Sequence, residues 1–159
     1  MRSQHWTDTR APGTIELFPS FLAAPSGSNA TTRGANRRTD YVAGKRVLVV
    51  EDEFFLGLDV EAALRELGCI TIGPATTLEE AIETAQRETI EGAVLDINLG
   101  GRLVYPLAEE LARRGVPFIF TTGYRPTDLP PALHGVPRLD KPVAADQLKA
   151  AVRAMLAQN

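Results

Sequence analysis

Short apolar runs alternate with amphipathic stretches along the chain from Lys45 onward. Five runs predict strands, at residues 47–50, 70–72, 93–96, 118–120 and 136–139. Apolar side chains recur at helical spacing between and after these runs: Leu56, Val60, Ala63, Leu64 and Leu67; Leu103, Leu107 and Leu111; Leu148, Ala151, Val152, Met155 and Leu156. Because the strands are almost continuously apolar, the alternation indicates a parallel sheet with helices on both faces.

Helix boundaries can be predicted from a few polar and glycine residues. Gly68 follows the first apolar stripe and predicts its end. Thr77 and Glu80 have the Thr-x-x-Glu spacing of a capping box, which predicts the start of the second helix. Gly115 predicts the end of the third helix, the one striped by Leu103, Leu107 and Leu111.

The stretch between residues 122 and 136 interrupts this alternation. It contains Pro126, Pro130 and Pro131, and each proline inside a helix costs ~3 kcal/mol. We therefore expect a loop, or at most one helical turn, in place of a fourth helix. The predicted fold is a flavodoxin-like (CheY-like) doubly wound sheet of five parallel strands in the order 2-1-3-4-5, with a short or irregular fourth helix.

The first 43 residues differ from the rest of the chain. They are rich in Gly, Pro, Ser, Thr and Asn and lack hydrophobic periodicity, a composition that cannot offset the entropy of ordering. The first 40 residues carry five arginines against three acids, whereas the remainder carries 12 basic against 17 acidic residues. We expect a disordered extension over 1–43 and one folded domain over 44–159, with no further domain after the last helix.

Bulk composition excludes several classes of protein. The net charge of −3 leaves no basic surface of the kind that binds nucleic acid. No apolar run approaches the ~18 residues of a membrane span, and the N-terminus lacks a secretory signal. The single cysteine, Cys69, excludes an internal disulfide and favours a reducing compartment. We expect a cytoplasmic protein without nucleic acid or membrane partners.

Polar side chains follow four of the predicted strands. Glu51 and Asp52 follow the first strand, Asp96 closes the third, Thr122 follows the fourth, and Lys141 follows the fifth. In the predicted order the first and third strands are neighbours, so the carboxylates converge at the edge where open α/β sheets bind ligands. Three close carboxylates repel one another unless their pKa values rise or a cation lies among them, and the candidate cations are the lysine and Mg²⁺. Such a set suits a phosphoryl group held on a carboxylate.

Four motifs resemble those of response-regulator receiver domains, and the resemblance covers residues 45–157. The motifs are Val-Leu-Val-Val-Glu51-Asp52-Glu, Val-Leu-Asp96-Ile-Asn-Leu, Thr122-Gly123 and Lys141-Pro142. The resemblance implies that Asp96 is the phosphoacceptor and that the peptide bond before Pro142 is cis. It also implies the other roles: a switch hydroxyl on Thr122, a phosphate contact from Lys141, and Mg²⁺ bound by Asp52, Asp96, Glu51 through water, and the backbone carbonyl of Asn98.

A narrower resemblance joins Phe120-Thr121-Thr122-Gly123-Tyr124 to a receiver subgroup with the motif Phe-Ala-Thr-Gly-Tyr. Its members commonly partner HWE or related histidine kinases and often have an irregular fourth helix. One departure concerns the switch: Arg138 stands where receivers usually have an aromatic residue coupled to the threonine. Tyr124 and the proline-rich loop are the candidates to replace it, and an ordering transition of the loop is the alternative output.

These patterns predict a single-domain response regulator and not an enzyme. A sensor histidine kinase, with the HWE type among the candidates, or a histidine phosphotransferase would phosphorylate Asp96, and an unidentified protein effector would receive the signal. One alternative is a pseudo-receiver that binds partners without phosphorylation. Another is a Mg²⁺-dependent phosphohydrolase with an aspartyl-phosphate intermediate. Asn98 argues against the second alternative, because such enzymes place a general acid at that position.

Overall fold

The computed structural model describes residues 41–123 and 129–157. The expected disordered extension therefore lies outside the described residues, apart from 41–43. The elements, in chain order, are β1 Arg46–Val50, α1 Phe54–Glu66, β2 Ile70–Ala75, α2 Leu78–Arg87, β3 Gly92–Asp96, β4 Asn98–Leu99, β5 Arg102–Leu103, α3 Tyr105–Arg113, β6 Phe118–Thr122, a 3₁₀ turn Pro131–Leu133, β7 Arg138–Asp140 and α4 Ala145–Leu156.

Five of the strands form one parallel sheet in the order β2-β1-β3-β6-β7. Strands β4 and β5 pair with each other as a separate antiparallel hairpin. When only the strands of the main sheet are counted, the order is 2-1-3-4-5. The predicted flavodoxin-like topology is therefore confirmed.

Each face of the sheet supports its own hydrophobic core, which explains why the strands are apolar at consecutive positions. Leu48, Leu95 and Phe120 point into the core shared with α2 and α3. Val49 and Val94 point into the opposite core, shared with α1 and α4. Because neighbouring side chains along a strand face opposite sides, both sets need to be apolar.

The second helix begins as predicted, with one difference in the reciprocal bond. The hydroxyl of Thr77 accepts a hydrogen bond from the backbone N–H of Glu80 at 3.2 Å. The carboxylate of Glu80 accepts from the N–H of Thr76 at 2.9 Å, one residue earlier than in a standard capping box. The first helix ends at Glu66, just before Gly68.

The prediction that Leu103 belongs to the third helix was wrong. Leu103 lies in β5, is exposed, and pairs with Asn98 across the hairpin. Gly100 and Gly101 form the two-residue turn with φ of +59° and +93°, a conformation that glycine adopts without strain. The third helix begins only at Tyr105.

The stretch between β6 and β7 has little regular structure in its described part. The 3₁₀ turn Pro131–Leu133 is its only helical element there, and Leu133 anchors the turn in the core. The prediction of a short or irregular fourth helix is confirmed. Residues 124–128, including Tyr124, lie outside the described residues. The last strand, Arg138–Asp140, begins two residues later and ends one residue later than expected.

Two residues that we assigned to the extension contact the domain. Val42 is buried in the core between α1 and α4, and its carbonyl oxygen lies 3.4 Å from the Sγ of Cys69. The hydroxyl of Tyr41 donates to the backbone carbonyl of Arg153 on α4. Within residues 41–123 and 129–157, no helix is both long and apolar enough to cross a membrane.

Candidate functional site

The sheet brings the predicted polar residues to one edge. Glu51 directly follows β1, Asp96 is the last residue of β3, Thr122 is the last residue of β6, and Lys141 directly follows β7. The strands are parallel, so these ends meet at the carboxyl edge of the sheet. Asp96 lies beside Thr121 in the register between β3 and β6.

Lys141 bridges the two buried carboxylates of the site. Its Nζ donates to Asp96 Oδ2 at 2.6 Å and to Glu51 Oε1 at 2.7 Å. The side chain of Lys141 is 12% exposed, while those of Glu51 and Asp96 are 2% and 7% exposed. The lysine therefore compensates two carboxylates that water hardly reaches.

Burial and neighbouring charges shift the pKa values of Glu51 and Lys141. Burial raises the pKa of Glu51, and the nearby charge of Asp96 adds to that effect, although the hydrogen bond from Lys141 opposes both. Burial alone would lower the pKa of Lys141. Its hydrogen bonds to Asp96 and Glu51, together with their charges, outweigh burial and raise the pKa. The ammonium form of Lys141 is thus stabilised at neutral pH.

Three carboxylates could serve a metal ion at this edge. Glu51, Asp52 and Asp96 each offer an oxygen, and these oxygens lie within 4.8 Å of one another. Asp52 is exposed, so one side of the cluster opens to solvent. A single lysine cannot neutralise three carboxylates, so net negative charge remains at the site. Carboxylate oxygens are ligands that Mg²⁺ prefers. We conclude that the donor set suits Mg²⁺.

Asn98 lies beside Asp96 and has its side chain engaged elsewhere. The backbone N–H of Asn98 donates to Asp96 Oδ1 at 3.2 Å, and its side-chain oxygen accepts from the N–H of Gly101 at 2.7 Å. The side chain therefore stabilises the hairpin turn. Asn98 and Gly100 also line a depression of about 310 Å³ together with Asp52, Glu53, Asp96, Gly123 and Lys141.

The remaining predicted residues are placed as follows. Thr122 is buried, and its carbonyl accepts the backbone N–H of Lys141 at 2.8 Å. The Lys141–Pro142 peptide bond is cis, as the resemblance implied. Arg138 is exposed on β7 and pairs in register with Phe120.

Sequence reasoning missed two features near the site. Thr121, which replaces an alanine in the subgroup motif, has a buried hydroxyl on the same sheet face as Asp96. Phe54 and Phe55, which open α1 directly after the acids, are 67% and 78% exposed. Two adjacent phenylalanines directly after a cluster of acids are the sequence signal from which this surface could have been predicted.

The fold is that of a response-regulator receiver domain. SdrG from Sphingomonas melonis Fr1 is 33% identical, with a TM-score of 0.63, and the match covers 71% of this chain and 97% of SdrG. The REC domain of the PhyR response regulator from Erythrobacter litoralis is 28% identical, with a TM-score of 0.60 and coverage of 73% and 89%. The chain belongs to the response-regulator receiver family.

A curated relative agrees with this assignment. The transcriptional regulatory protein PdtaR of Mycobacterium tuberculosis is 30% identical over 97 residues, which are 60% of this chain. The chain spans about half the length of the curated relatives it matches, at 47%. No family model matches the chain.

Proposed function

We propose that this chain is a single-domain response regulator that accepts a phosphoryl group on Asp96 and signals through protein contacts. The observation that carries the proposal is the buried carboxylate of Asp96, held at 2.6 Å by Lys141 among two further acids. The phosphodonor would be a phosphohistidine, either of a sensor kinase or of a histidine phosphotransferase. Kinases of the HWE type are among the candidates. Such signalling takes place in the cytoplasm.

In the proposed transfer, a carboxylate oxygen of Asp96 attacks the phosphorus of the phosphohistidine. The new P–O bond forms as the P–N bond breaks, and its electron pair stays on the imidazole nitrogen, which takes up a proton. Lys141 would move from its carboxylate partners to the phosphoryl oxygens, since it already lies against Asp96. The hydroxyl of Thr122 would donate to another phosphoryl oxygen.

Four residues would hold Mg²⁺: Asp52 and Asp96 directly, Glu51 through a water molecule, and Asn98 through its backbone carbonyl. The bound ion would offset negative charge on the phosphoryl oxygens. Asp52 suits this role because it is exposed while its carboxylate lies within 4.8 Å of the other two. The depression beside it, of about 310 Å³, leaves room for the phosphoryl group.

An exposed apolar surface supports the proposal that proteins are the partners. Phe54, Phe55 and Leu58 are 67%, 78% and 41% exposed near the start of α1, next to the acidic cluster. The two rings pack edge to face with their centroids 5.5 Å apart. Adjacent exposed aromatic side chains are typical of protein interfaces. Substitution of Phe55 by alanine should slow phosphorylation by a kinase while phosphorylation by acetyl phosphate stays unchanged.

We propose that the chain does not turn over phosphomonoesters. An aspartyl-phosphate hydrolase would use an acid two residues after the nucleophile to protonate the leaving group. That residue is Asn98, which has no acidic proton and whose side chain accepts the N–H of Gly101. Release of nitrophenol from p-nitrophenyl phosphate by the wild type but not by Asp96→Asn would contradict this.

The test is intact-protein mass spectrometry after incubation with acetyl phosphate and Mg²⁺. The wild type should gain one phosphoryl mass, and so should Asp140→Asn, which removes an exposed acid from β7 as a matched control. Asp96→Asn, and the wild type in EDTA, should gain none. A histidine kinase loaded with labelled phosphate would then serve as the second donor. If neither donor labels the wild type, the chain acts as a pseudo-receiver.

A further inference from the structure

A second cavity lies on the sheet face covered by α1 and α4. It measures about 360 Å³, which places it at the lower end of small-molecule pockets. Its walls are mostly apolar: Leu56, Val60 and Ala63 from α1, and Val143 and Leu148 from the α4 side. The cavity reaches the back of the carboxylate site, where Glu51, Lys141 and Thr121 line it.

Thr121 places an unpaired hydroxyl at this polar end. The residue is 2% exposed, and its Oγ1 has no hydrogen-bond partner among the described residues. Thr121 is in register with Asp96 on one side and Leu139 on the other. Paired residues of parallel strands point to the same face, so the hydroxyl faces the cavity side of the sheet. A buried hydroxyl without a partner is unfavourable unless something in the cavity bonds to it.

The charges around the cavity select the kind of ligand. At the polar end, the ammonium of Lys141 is already hydrogen-bonded to both Glu51 and Asp96, so it is not free to pair with an anion. At the exposed mouth, Asp59 disfavours anions, while Glu66 is paired with Lys149 at 2.8 Å. A charged head group would have to lose its water beside a pair that is already satisfied.

We infer that this cavity binds a small neutral amphiphile, with an apolar body between α1 and α4 and a hydroxyl or amide group bonded to Thr121. A cavity with a polar end also admits water, so water is the competing occupant. The inference does not depend on the proposed function, because binding is measured without phosphorylation.

The test uses benzyl alcohol as the probe and the ¹H–¹⁵N spectrum of the full chain as the readout. Benzyl alcohol should shift the amide signals of Val60, Ala63 and Thr121 saturably, with a Kd on the order of 1 mM. Benzoate, the anionic analogue, should not produce these shifts. If no saturable shifts appear, the cavity holds only water and the inference is wrong.

Two substitutions separate a ligand contact from a structural effect. Thr121→Val keeps the shape and removes the hydroxyl, so benzyl alcohol should bind about fivefold more weakly, while toluene, which has no hydroxyl, should bind as before. Ala62→Leu should block the mouth and abolish binding of both. Ala150→Leu, at an exposed position of α4 off the cavity, is the matched control. Equal weakening of both probes by Thr121→Val would overturn the role of the hydroxyl.

Discussion

Replacement of Lys141 by methionine should destabilise the metal-free protein strongly. The ammonium makes two charge-assisted hydrogen bonds, of 2.6 and 2.7 Å, to carboxylates that are almost fully buried. Removing the partner of a buried charge costs about 3–5 kcal/mol. Because the lysine is 12% exposed, water recovers part of this loss. We therefore expect a loss of about 3 kcal/mol in the free energy of unfolding.

A second substitution tests the cause of that loss. In Lys141→Met, Glu51 and Asp96 repel each other without a cation, so the added change Glu51→Gln should restore more than about 1 kcal/mol. In the wild type, the same Glu51→Gln change should alter stability little, because burial and the charge of Asp96 already offset the charge-assisted bond from Lys141 to Glu51. The stabilising effect of Glu51→Gln should thus be clear only in the Lys141→Met background.

Urea denaturation followed by circular dichroism in EDTA measures these four proteins. Lys149→Met is the matched control, since Lys149 pairs with exposed acids and its removal should change the midpoint little. Mg²⁺ should raise the midpoint of Lys141→Met, because the ion takes over the neutralisation of the carboxylates. Additive effects of Lys141→Met and Glu51→Gln would refute the reasoning.

Three further predictions concern stability. The hydrogen bond from Lys45 Nζ lowers the pKa of Glu91, so this carboxylate stabilises the fold above its ordinary pKa of 4.5 and loses that effect as pH falls through the lowered value. Glu91→Gln should therefore cost about 1 kcal/mol in urea melts at pH 7 and nothing at pH 2. Thr77→Ala removes the cap of α2 and should cost about 1 kcal/mol by the same melts. NMR chemical shifts should show that α2 still begins at the same residue. Gly73→Ala should lower the free energy of unfolding by about 3 kcal/mol, since at φ +95° the added Cβ would lie 2.8 Å from the carbonyl oxygen of Val49. Gly101→Ala has a similar φ of +93° but open space around the Cβ, so it should cost about 1 kcal/mol. Equal losses for the two glycines would contradict the steric argument.

The sheet could be predicted from the sequence because both of its faces are buried. A run such as Val47–Val50 needs apolar side chains toward two cores, and this requirement is visible without coordinates. The same holds for the strand ends, since polar residues directly after such runs must lie at one edge. The convergence of Glu51, Asp52 and Asp96 follows from topology alone.

The hairpin could have been found but was missed. Leu103 has helical spacing to Leu107, and we gave that spacing more weight than the Gly100-Gly101 pair. A Gly-Gly pair between short segments is a strong hairpin signal, because both residues of the turn need positive φ. The exposed Leu103 shows that the turn and not the helical spacing determined the local structure.

Other features depend on distances that no sequence pattern contains. The spacing of α1 and α4 determines whether a cavity remains beside Thr121, and it arises from the packing of many side chains. The bridge from Lys141 to both Glu51 and Asp96 likewise depends on where the cation comes to lie between two carboxylates. The sequence made the lysine a candidate cation among the carboxylates and a phosphate contact, but it did not indicate which two carboxylates the lysine bridges.

Arg138 also affects the exposed edge of the sheet. Strand β7 is the outermost strand on its side, and it exposes Arg138 and Asp140 around the buried Leu139. An outer strand has unpaired backbone groups that another strand can extend, and charged side chains oppose such pairing. The aromatic residue that receivers usually have at this position would make the edge more apolar. With arginine there, the chain has an edge that resists aggregation through strand addition.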